Sequence, residues 1–293
     1  MKPSNSDFFQ LRGVRTHVRR WGPTDAPQLF LLHGWMDVSA SFQFLVDALD
    51  RDWQIIAPDW RGFGGTQWNH HSYWFPDYIA DLDALLAHYS PDAPVRLVGH
   101  SLGGNAACLY AGIRPERVAA VATLEGFGLH VSDPAEAPVR YASWLEQLRA
   151  PSGPAYNRYA GRAELAARLR GVNPRLSADQ AAFLAEHLGE ERGDDPGKIV
   201  VAADPYHKLP SPILYRLDDA KACWRSVTAP VLWVAARDSF IMKSFSGVVG
   251  EADYQERIAC FRDIRTAMID DAGHNMHHDQ PLHVAKLVED FLG

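Results

Sequence analysis

A serine near residue 100 has the neighbours of a reactive nucleophile. Ser101 lies in the pattern G-x-S-x-G at residues 99–103, between an apolar run at 95–98 that predicts a buried strand and a stretch to 113 with an apolar stripe of helical spacing. At such a strand-to-helix turn the backbone is cramped, and the flanking glycines let neighbouring backbone come close. The hydroxyl is then exposed at the helix N-terminus, where the dipole favours developing negative charge. We therefore predict that Ser101 is a nucleophile rather than a helix cap.

A serine hydroxyl becomes a good nucleophile only when a base takes its proton, and a histidine is the usual base. His274 ends the sequence D-D-A-G-H, directly after a predicted strand at 266–269. Its position after a glycine at a strand end predicts that it reaches the nucleophile. His277 and His278 compete for this role, and we interpret them as helix-entry or packing residues.

The histidine requires a carboxylate that accepts a hydrogen bond from its second nitrogen and fixes its tautomer. Asp238 follows an apolar run at 231–236 and gives the chain order nucleophile, acid, base. Glu125 also ends a predicted strand and remains the alternative, because either carboxylate needs only to reach the same imidazole. Asp59 ends a further strand, but the sequence P-D-W-R-G at 58–62 indicates a turn held by hydrogen bonds of Asp59 or Arg61. We favour Asp238 as the acid.

Acyl transfer also needs N–H donors for the oxyanion. The residue after the nucleophile, Leu102, can provide one, and a backbone N–H beyond the early strand can provide another. The sequence L-L-H-G-W at 31–35 places a glycine where the chain must turn beside the nucleophile, so Trp35 is the predicted second donor. His33 and His100 lie inside these glycine motifs, where backbone geometry is the expected reason for the residue type.

The remaining sequence predicts the elements that would bring these residues together. Buried strands alternate with segments of helix length, which indicates a mainly parallel sheet with helices on both faces. The last helix begins at Pro281, a residue suited to a first helical turn. The predicted strands are 28–33, 53–57, 95–98, 118–124, 231–235 and 266–269.

About a hundred residues between two of these strands break the alternation, which is far longer than a usual connection. A helical apolar stripe at 141–148 and a capping box at 177–180 predict that this insertion is mostly helical. The charged, glycine-containing segment 190–197 is predicted to be an exposed, mobile loop. We expect one domain, with residues 1–126 and 229–293 forming its α/β core and residues 127–228 forming a helical cap.

Composition excludes several classes of function. The charge of −7 comes from dispersed acids without a basic block, so nucleic acid is not an expected partner. No apolar stretch approaches the roughly 20 residues needed to cross a bilayer, and membrane insertion is not expected. The polar N-terminus and three cysteines without metal or disulfide spacing fit a cytoplasmic protein. Those cysteines are Cys108, Cys223 and Cys260.

Several separated motifs stand in the order seen in the α/β-hydrolase superfamily, which the chain resembles over nearly its whole length. They are H-G-W at 33–35, D-W-R-G-F-G at 59–64, G-H-S-L-G at 99–103, Asp238, and G-H at 273–274. The resemblance implies a mainly parallel sheet of the eight-stranded type and an inserted helical cap over the active site. The pattern is similar to the serine hydrolase-like proteins of that superfamily. Ser101 argues against epoxide hydrolases and dehalogenases, which use an aspartate there, and the glycine-rich loops of some lipases and of proline iminopeptidases are missing after His33.

The expected activity is hydrolysis of small or medium carboxylic esters without a metal or organic cofactor. Thioester, lactone or carbon–carbon bond hydrolysis and cofactor-free perhydrolysis on the same triad remain alternatives, as does a ligand receptor with negligible turnover. Aromatic residues near the motifs, together with His100, are predicted to line an apolar pocket. The predicted pocket residues are Trp35, Trp60, Phe63, His100, Phe127, Tyr141 and Trp144.

Overall fold

The computed structural model describes residues 1–150, 157–191, 197–246 and 250–293. Ten strands are present in this part of the chain. They are β1 (Ser4–Leu11), β2 (Val14–Trp21), β3 (Gln28–Leu32), β4 (Gln54–Pro58), β5 (Val95–His100), β6 (Val118–Leu124), β7 (Gly189–Glu191), β8 (Ile199–Val201), β9 (Val231–Ala236) and β10 (Ile264–Ile269).

Eleven α-helices accompany these strands in the described ranges. They are α1 (Gln43–Ala48), α2 (Phe75–Tyr89), α3 (Leu102–Ile113), α4 (Ala137–Leu148), α5 (Arg162–Val172), α6 (Ala178–Leu188), α7 (Leu217–Arg225), α8 (Phe240–Ser246), α9 (Gly250–Ile258), α10 (Met276–Asp279) and α11 (Pro281–Leu292). None of these helices combines the length and the apolar character that a bilayer crossing requires.

Eight strands form one sheet in the order β1-β2-β4-β3-β5-β6-β9-β10. β1 and β2 pair antiparallel, as do β2 and β4, and the remaining neighbours are parallel. The mainly parallel sheet predicted from the sequence is therefore confirmed. Parallel neighbours bring the carboxyl ends of β3, β5, β6, β9 and β10 to one edge, where ligands bind in sheets of this kind.

The two faces of the sheet are covered by different helices, and successive residues of one strand serve different faces. In β3, Phe30 and Leu32 join the apolar cluster that includes residues of α2, α3, α7 and α9, whereas Leu29 and Leu31 join the cluster under α1, α10 and α11. Burial on both faces explains why β3 is apolar throughout.

The insertion contains α4, α5, α6 and the antiparallel pair β7–β8. Ser177 and Gln180 form the predicted capping box at the start of α6. Within the predicted cap range 127–228, α7 packs against α3 and places Trp224 in the main core. Of the predicted loop 190–197, residues 190 and 191 belong to β7, and 192–196 lie outside the described residues.

Candidate active site

Ser101 occupies a strained turn between β5 and α3. Its backbone has φ 51° and ψ −112°, which is unfavourable for a residue with a side chain and typical of a nucleophile at a sharp strand-to-helix turn. The turn depends on glycines: a Cβ at Gly99 would collide with the backbone of Gly103, and a Cβ at Gly103 would collide with the carbonyl of Leu32. The Ser101 side chain itself remains partly accessible.

The loop that carries His274 reaches this turn. His100, the residue before Ser101, places its Nε2 2.8 Å from the carbonyl oxygen of His274. The rings of His100 and His274 lie 4.7 Å apart. The ring centroids of Phe240 and His274 are also 4.7 Å apart. The loop of His274 therefore lies beside the turn of Ser101 at the carboxyl edge of the sheet.

The carboxylate that contacts His274 belongs to Glu125. Its Oε2 lies 3.3 Å from Nδ1 of His274, and its side chain is fully buried. The same carboxylate accepts hydrogen bonds from the backbone N–H of Ala236, at 2.8 Å, and from the hydroxyl of Ser239. These donors fix the carboxylate at the end of β6 and satisfy its buried oxygens. Nε2 of His274 is left for a second partner.

Asp238 does not contact His274, so the predicted arrangement needs correction. Its carboxylate forms an ion pair with Arg175 of the cap, and its side chain is 45% exposed. Arg175 also binds Asp271 at 3.2 Å. Asp238 lies two residues beyond the end of β9 and points toward the cap, whereas Glu125 follows β6 directly and points inward beneath the imidazole.

Leu102 and Trp35, whose N–H groups are the predicted oxyanion donors, both lie near the turn of Ser101. Leu102 begins α3 immediately after Ser101. A Cβ on Gly34 would come within 3.3 Å of the Ser101 Cβ, which shows how closely the turn before Trp35 passes Ser101. Any larger residue at position 34 would therefore crowd the space beside Ser101.

The turn at 58–62 is structural, as predicted. Asp59 is buried and accepts hydrogen bonds from the N–H groups of Ser39 and Gly65, and it pairs with His17 at 2.6 Å. Burial acts to raise the pKa of Asp59, but the His17 contact outweighs it and holds the pKa below the usual range. Arg61 forms a two-point ion pair with Asp81.

Three predicted pocket aromatics belong to the core instead. Trp60 is buried and donates from its indole to the carbonyl of His33. Phe63 is buried against the ring of His207, and Phe127 stacks on Trp233 with ring centres 4.4 Å apart. Large aromatics contribute most when they are fully buried, which is why nearness in sequence to a motif does not place them in a pocket.

The other predicted pocket residues lie in three different places. His100 is buried beside His274. Trp144 donates from its indole to the Ser72 hydroxyl, and Tyr141 is half exposed on the same helix, α4. Trp35 is 51% exposed and lines a cavity of about 230 Å³. The cap supplies most of the remaining wall, which the sequence did not indicate: Met36, Asn157, Val201, Ala203, Pro205 and Lys208.

Residues 27–281 match the family model described as the alpha/beta hydrolase fold. The chain belongs to the alpha/beta hydrolase family. The serine hydrolase-like protein of Danio rerio is 28% identical over 279 residues, covering 93% of this chain and 83% of that protein. The bifunctional esterase/perhydrolase of Acinetobacter calcoaceticus is 35% identical over 118 residues, covering 38% of this chain and 41% of that protein.

The fold of this chain is also that of solved structures. A thioesterase domain from the curacin biosynthetic pathway superposes with a TM-score of 0.85 at 21% identity, covering 98% of this chain and 99% of that domain. At this identity the likeness concerns the fold alone. Together these comparisons show the hydrolase fold, and the relatives they find are hydrolases and esterases.

Proposed function

We propose that this protein is a serine hydrolase that cleaves carboxylic esters through an acyl-enzyme on Ser101. The observation that carries the proposal is the pairing of His274 with the buried Glu125 beside the strained turn of Ser101. A serine, a histidine and a carboxylate in this relation form the arrangement of hydrolytic triads. We assign the orienting acid to Glu125 rather than to Asp238.

The reaction follows from the hydrogen-bonding capacity of each group. Glu125 accepts the Nδ1 proton of His274, so that the lone pair on Nε2 can take the proton of the Ser101 hydroxyl. The serine oxygen attacks the ester carbonyl, and the N–H groups of Leu102 and Trp35 stabilise the oxyanion. His274 then gives its proton to the departing alcohol. Water attacks the acyl-enzyme by the same path and releases the acid and free Ser101.

The cavity beside Trp35 supports a preference for small or medium acyl groups. Its volume of about 230 Å³ lies below the roughly 300–1,000 Å³ of sites that enclose drug-sized ligands. Val201, Ala203 and Pro205 give it an apolar wall. Trp35 on the same wall directly follows Gly34, where an added Cβ would lie 3.3 Å from that of Ser101. The bifunctional esterase/perhydrolase among the relatives supports ester cleavage as the reaction.

A covalent probe tests the nucleophile directly. A fluorophosphonate should modify Ser101, because base-activated serines next to an oxyanion hole react with such reagents. Mass spectrometry of peptides locates the adduct, and Ser101→Ala is the control that should lose it. Folded protein that stays unmodified, or an adduct that persists in Ser101→Ala, would falsify the assignment.

A substrate panel tests the reaction class. The kcat/KM values should be compared for nitrophenyl esters of two to eight acyl carbons, a thioester, a lactone and a diketone that tests carbon–carbon bond hydrolysis. Esters of short acyl chains should be turned over fastest. A thioester, lactone or diketone that exceeds every ester would reassign the chemistry, and binding without turnover would indicate a receptor.

A further inference from the structure

Three buried side chains that the proposed reaction does not use meet beside His274. Asp37, His100 and His277 each offer one ligand atom, and these atoms lie within 4.8 Å of one another. Both histidines are buried, and the Asp37 side chain is 12% exposed. Buried polar groups normally have hydrogen-bond partners, so the partners of this cluster need to be counted.

His100 presents a lone pair without a partner. Its Nε2 lies 2.8 Å from the carbonyl oxygen of His274. A carbonyl oxygen can only accept, so Nε2 carries the proton of the neutral ring and Nδ1 carries the lone pair. Nδ1 of His100 is buried and has no hydrogen-bond partner among the described residues.

His277 adds two ring nitrogens without partners beside the fixed carboxylate of Asp37. The Asp37 carboxylate is fixed by the N–H of Val38, at 2.9 Å, and by the hydroxyl of Ser41, at 2.7 Å. Nε2 of His277 lies 4.0 Å from Oδ2 of Asp37, which is too long for a hydrogen bond. In the described part of the chain neither ring nitrogen of His277 has a partner.

The cluster holds more hydrogen-bond acceptors than donors aimed at it. The Asp37 carboxylate and the bare Nδ1 of His100 are both acceptors, and the described residues offer no donor to that Nδ1. A carboxylate and two imidazole lone pairs in one buried space favour a cation.

We propose that Asp37, His100 and His277 bind a divalent transition-metal ion of the Zn²⁺ type. Two imidazoles and one carboxylate are a common set of three protein ligands for zinc, with a fourth position left open. His100 binds through Nδ1, and its Nε2–H is held by a backbone carbonyl, as the second nitrogen of a metal-bound histidine usually is. Zinc bonds of about 2.0–2.1 Å require the ligand atoms to draw closer by side-chain rotation when the ion enters.

The bound ion would inhibit ester hydrolysis. Its charge lies next to the imidazole that must become positive during catalysis, because the His100 and His274 rings are neighbours. A nearby positive charge disfavours imidazolium and therefore weakens His274 as a base. Inhibition should be reversed by a chelator.

Binding is tested with Co²⁺, whose visible absorption reports tetrahedral nitrogen and oxygen ligands independently of any esterase activity. The wild-type protein should take up one Co²⁺ per chain, and Zn²⁺ should displace it. His277→Gln and Asp37→Asn should each weaken the affinity at least about tenfold. His283→Gln is the matched control, because His283 is an exposed histidine on α11 and should not affect the spectrum.

The outcomes separate the metal site from the proposed hydrolase. Folded wild type that gives no cobalt spectrum would overturn the metal site, as would wild-type Co²⁺ affinity in both His277→Gln and Asp37→Asn. Either result would leave the hydrolase assignment intact. A loss in His283→Gln would also overturn it by showing surface binding. Thermal unfolding of each variant shows that it is folded, and Asp37→Asn is informative even when His277→Gln does not fold.

Discussion

Arg175, in the cap, forms an ion pair with Asp238 at the carboxyl end of β9. Its Nε also binds Asp271, three residues before His274, at 3.2 Å. Nearby, the side chain of Asn173 donates to Asp279, whose other oxygen accepts from the backbone N–H of Gly273 at 2.8 Å. The short cap segment between α5 and α6 thus supports the loop of the proposed base from two sides.

The first prediction concerns the acid of the proposed triad. Glu125→Gln should lower kcat by roughly 10⁴-fold, as amide replacement of a triad carboxylate does, because the amide does not stabilise the required tautomer or the imidazolium. Asp238→Asn should reduce kcat less than about tenfold, since this residue contacts Arg175 and not His274. Steady-state kinetics on the two variants measures both effects. The reverse ranking would return the role to Asp238.

The second prediction concerns the support given by Arg175. Arg175→Met should lower kcat several-fold, with a smaller effect on KM, because the His274 loop loses its ion pairs to the cap. The free energy of unfolding should change little, since partly exposed ion pairs contribute roughly 0–1 kcal/mol.

Arg162→Met is the matched control for this support. Arg162 pairs with Glu186 inside the cap at 2.8 Å, away from the His274 loop. It should leave kcat unchanged, and Arg175→Lys should restore part of the lost activity. Equal losses in Arg162→Met and Arg175→Met would show a general effect of cap charge and not positioning.

The third prediction tests whether the cavity sets acyl size. The measured quantity is kcat/KM for nitrophenyl hexanoate divided by kcat/KM for nitrophenyl acetate. Val201→Phe should lower this ratio by at least about tenfold, because single-carbon differences in an apolar pocket already give roughly 10–200-fold discrimination. Val172→Phe, at an exposed position on α5, should leave the ratio as in wild type. An unchanged ratio in Val201→Phe would place the acyl chain elsewhere.

The fourth prediction concerns stability against acid. Burial lowers the pKa of His33 and of His278 to about 4 and that of His207 to about 3, so these rings are neutral in the folded protein and protonated in the unfolded one between those values and about 6.5. The unfolded state then binds more protons, and stability falls as pH drops through this window by up to about 1.4 kcal/mol per pH unit for each histidine. Asp37, with a pKa raised to about 6, opposes this below pH 6 as a single group.

Urea unfolding followed by tryptophan fluorescence, with a chelator present, measures this dependence at pH 7.5, 6.5, 5.5 and 4.5. The unfolding midpoint should decrease at each step below 6.5. A midpoint that stays constant or rises would mean that the buried histidines are already protonated in the folded protein.

The sequence predicted the parts of the site that depend on local pattern. The glycines around Ser101 and the strand and helix on either side of it can be predicted from a short stretch of neighbouring residues. The predicted sheet is confirmed. The choice between Glu125 and Asp238 was not local. Both follow parallel neighbouring strands, β6 and β9, and the groups that hold Glu125 in place, the N–H of Ala236 and the hydroxyl of Ser239, reach it only when those strands pair.

The cavity was beyond the sequence for a similar reason. Whether an aromatic residue faces a ligand or the core depends on what packs against it. Phe127, just after β6, stacks on Trp233 of β9, which lies about a hundred residues later in the chain. The wall that Val201 and Ala203 provide comes from a short strand that pairs with β7 inside the cap. Neither contact leaves a periodic signal in the chain.

The crowding around the turn of Ser101 restricts substitution at the two glycines much more than at position 101. The backbone path is determined by Gly99 and Gly103, which have no room for a single added carbon, whereas the side chain at position 101 projects into accessible space. A one-residue exchange of Ser101 to aspartate or cysteine is therefore compatible with this backbone path, whereas a side chain at either glycine would collide with it. New chemistries can arise on this turn by replacing the reactive atom and preserving the loop that displays it.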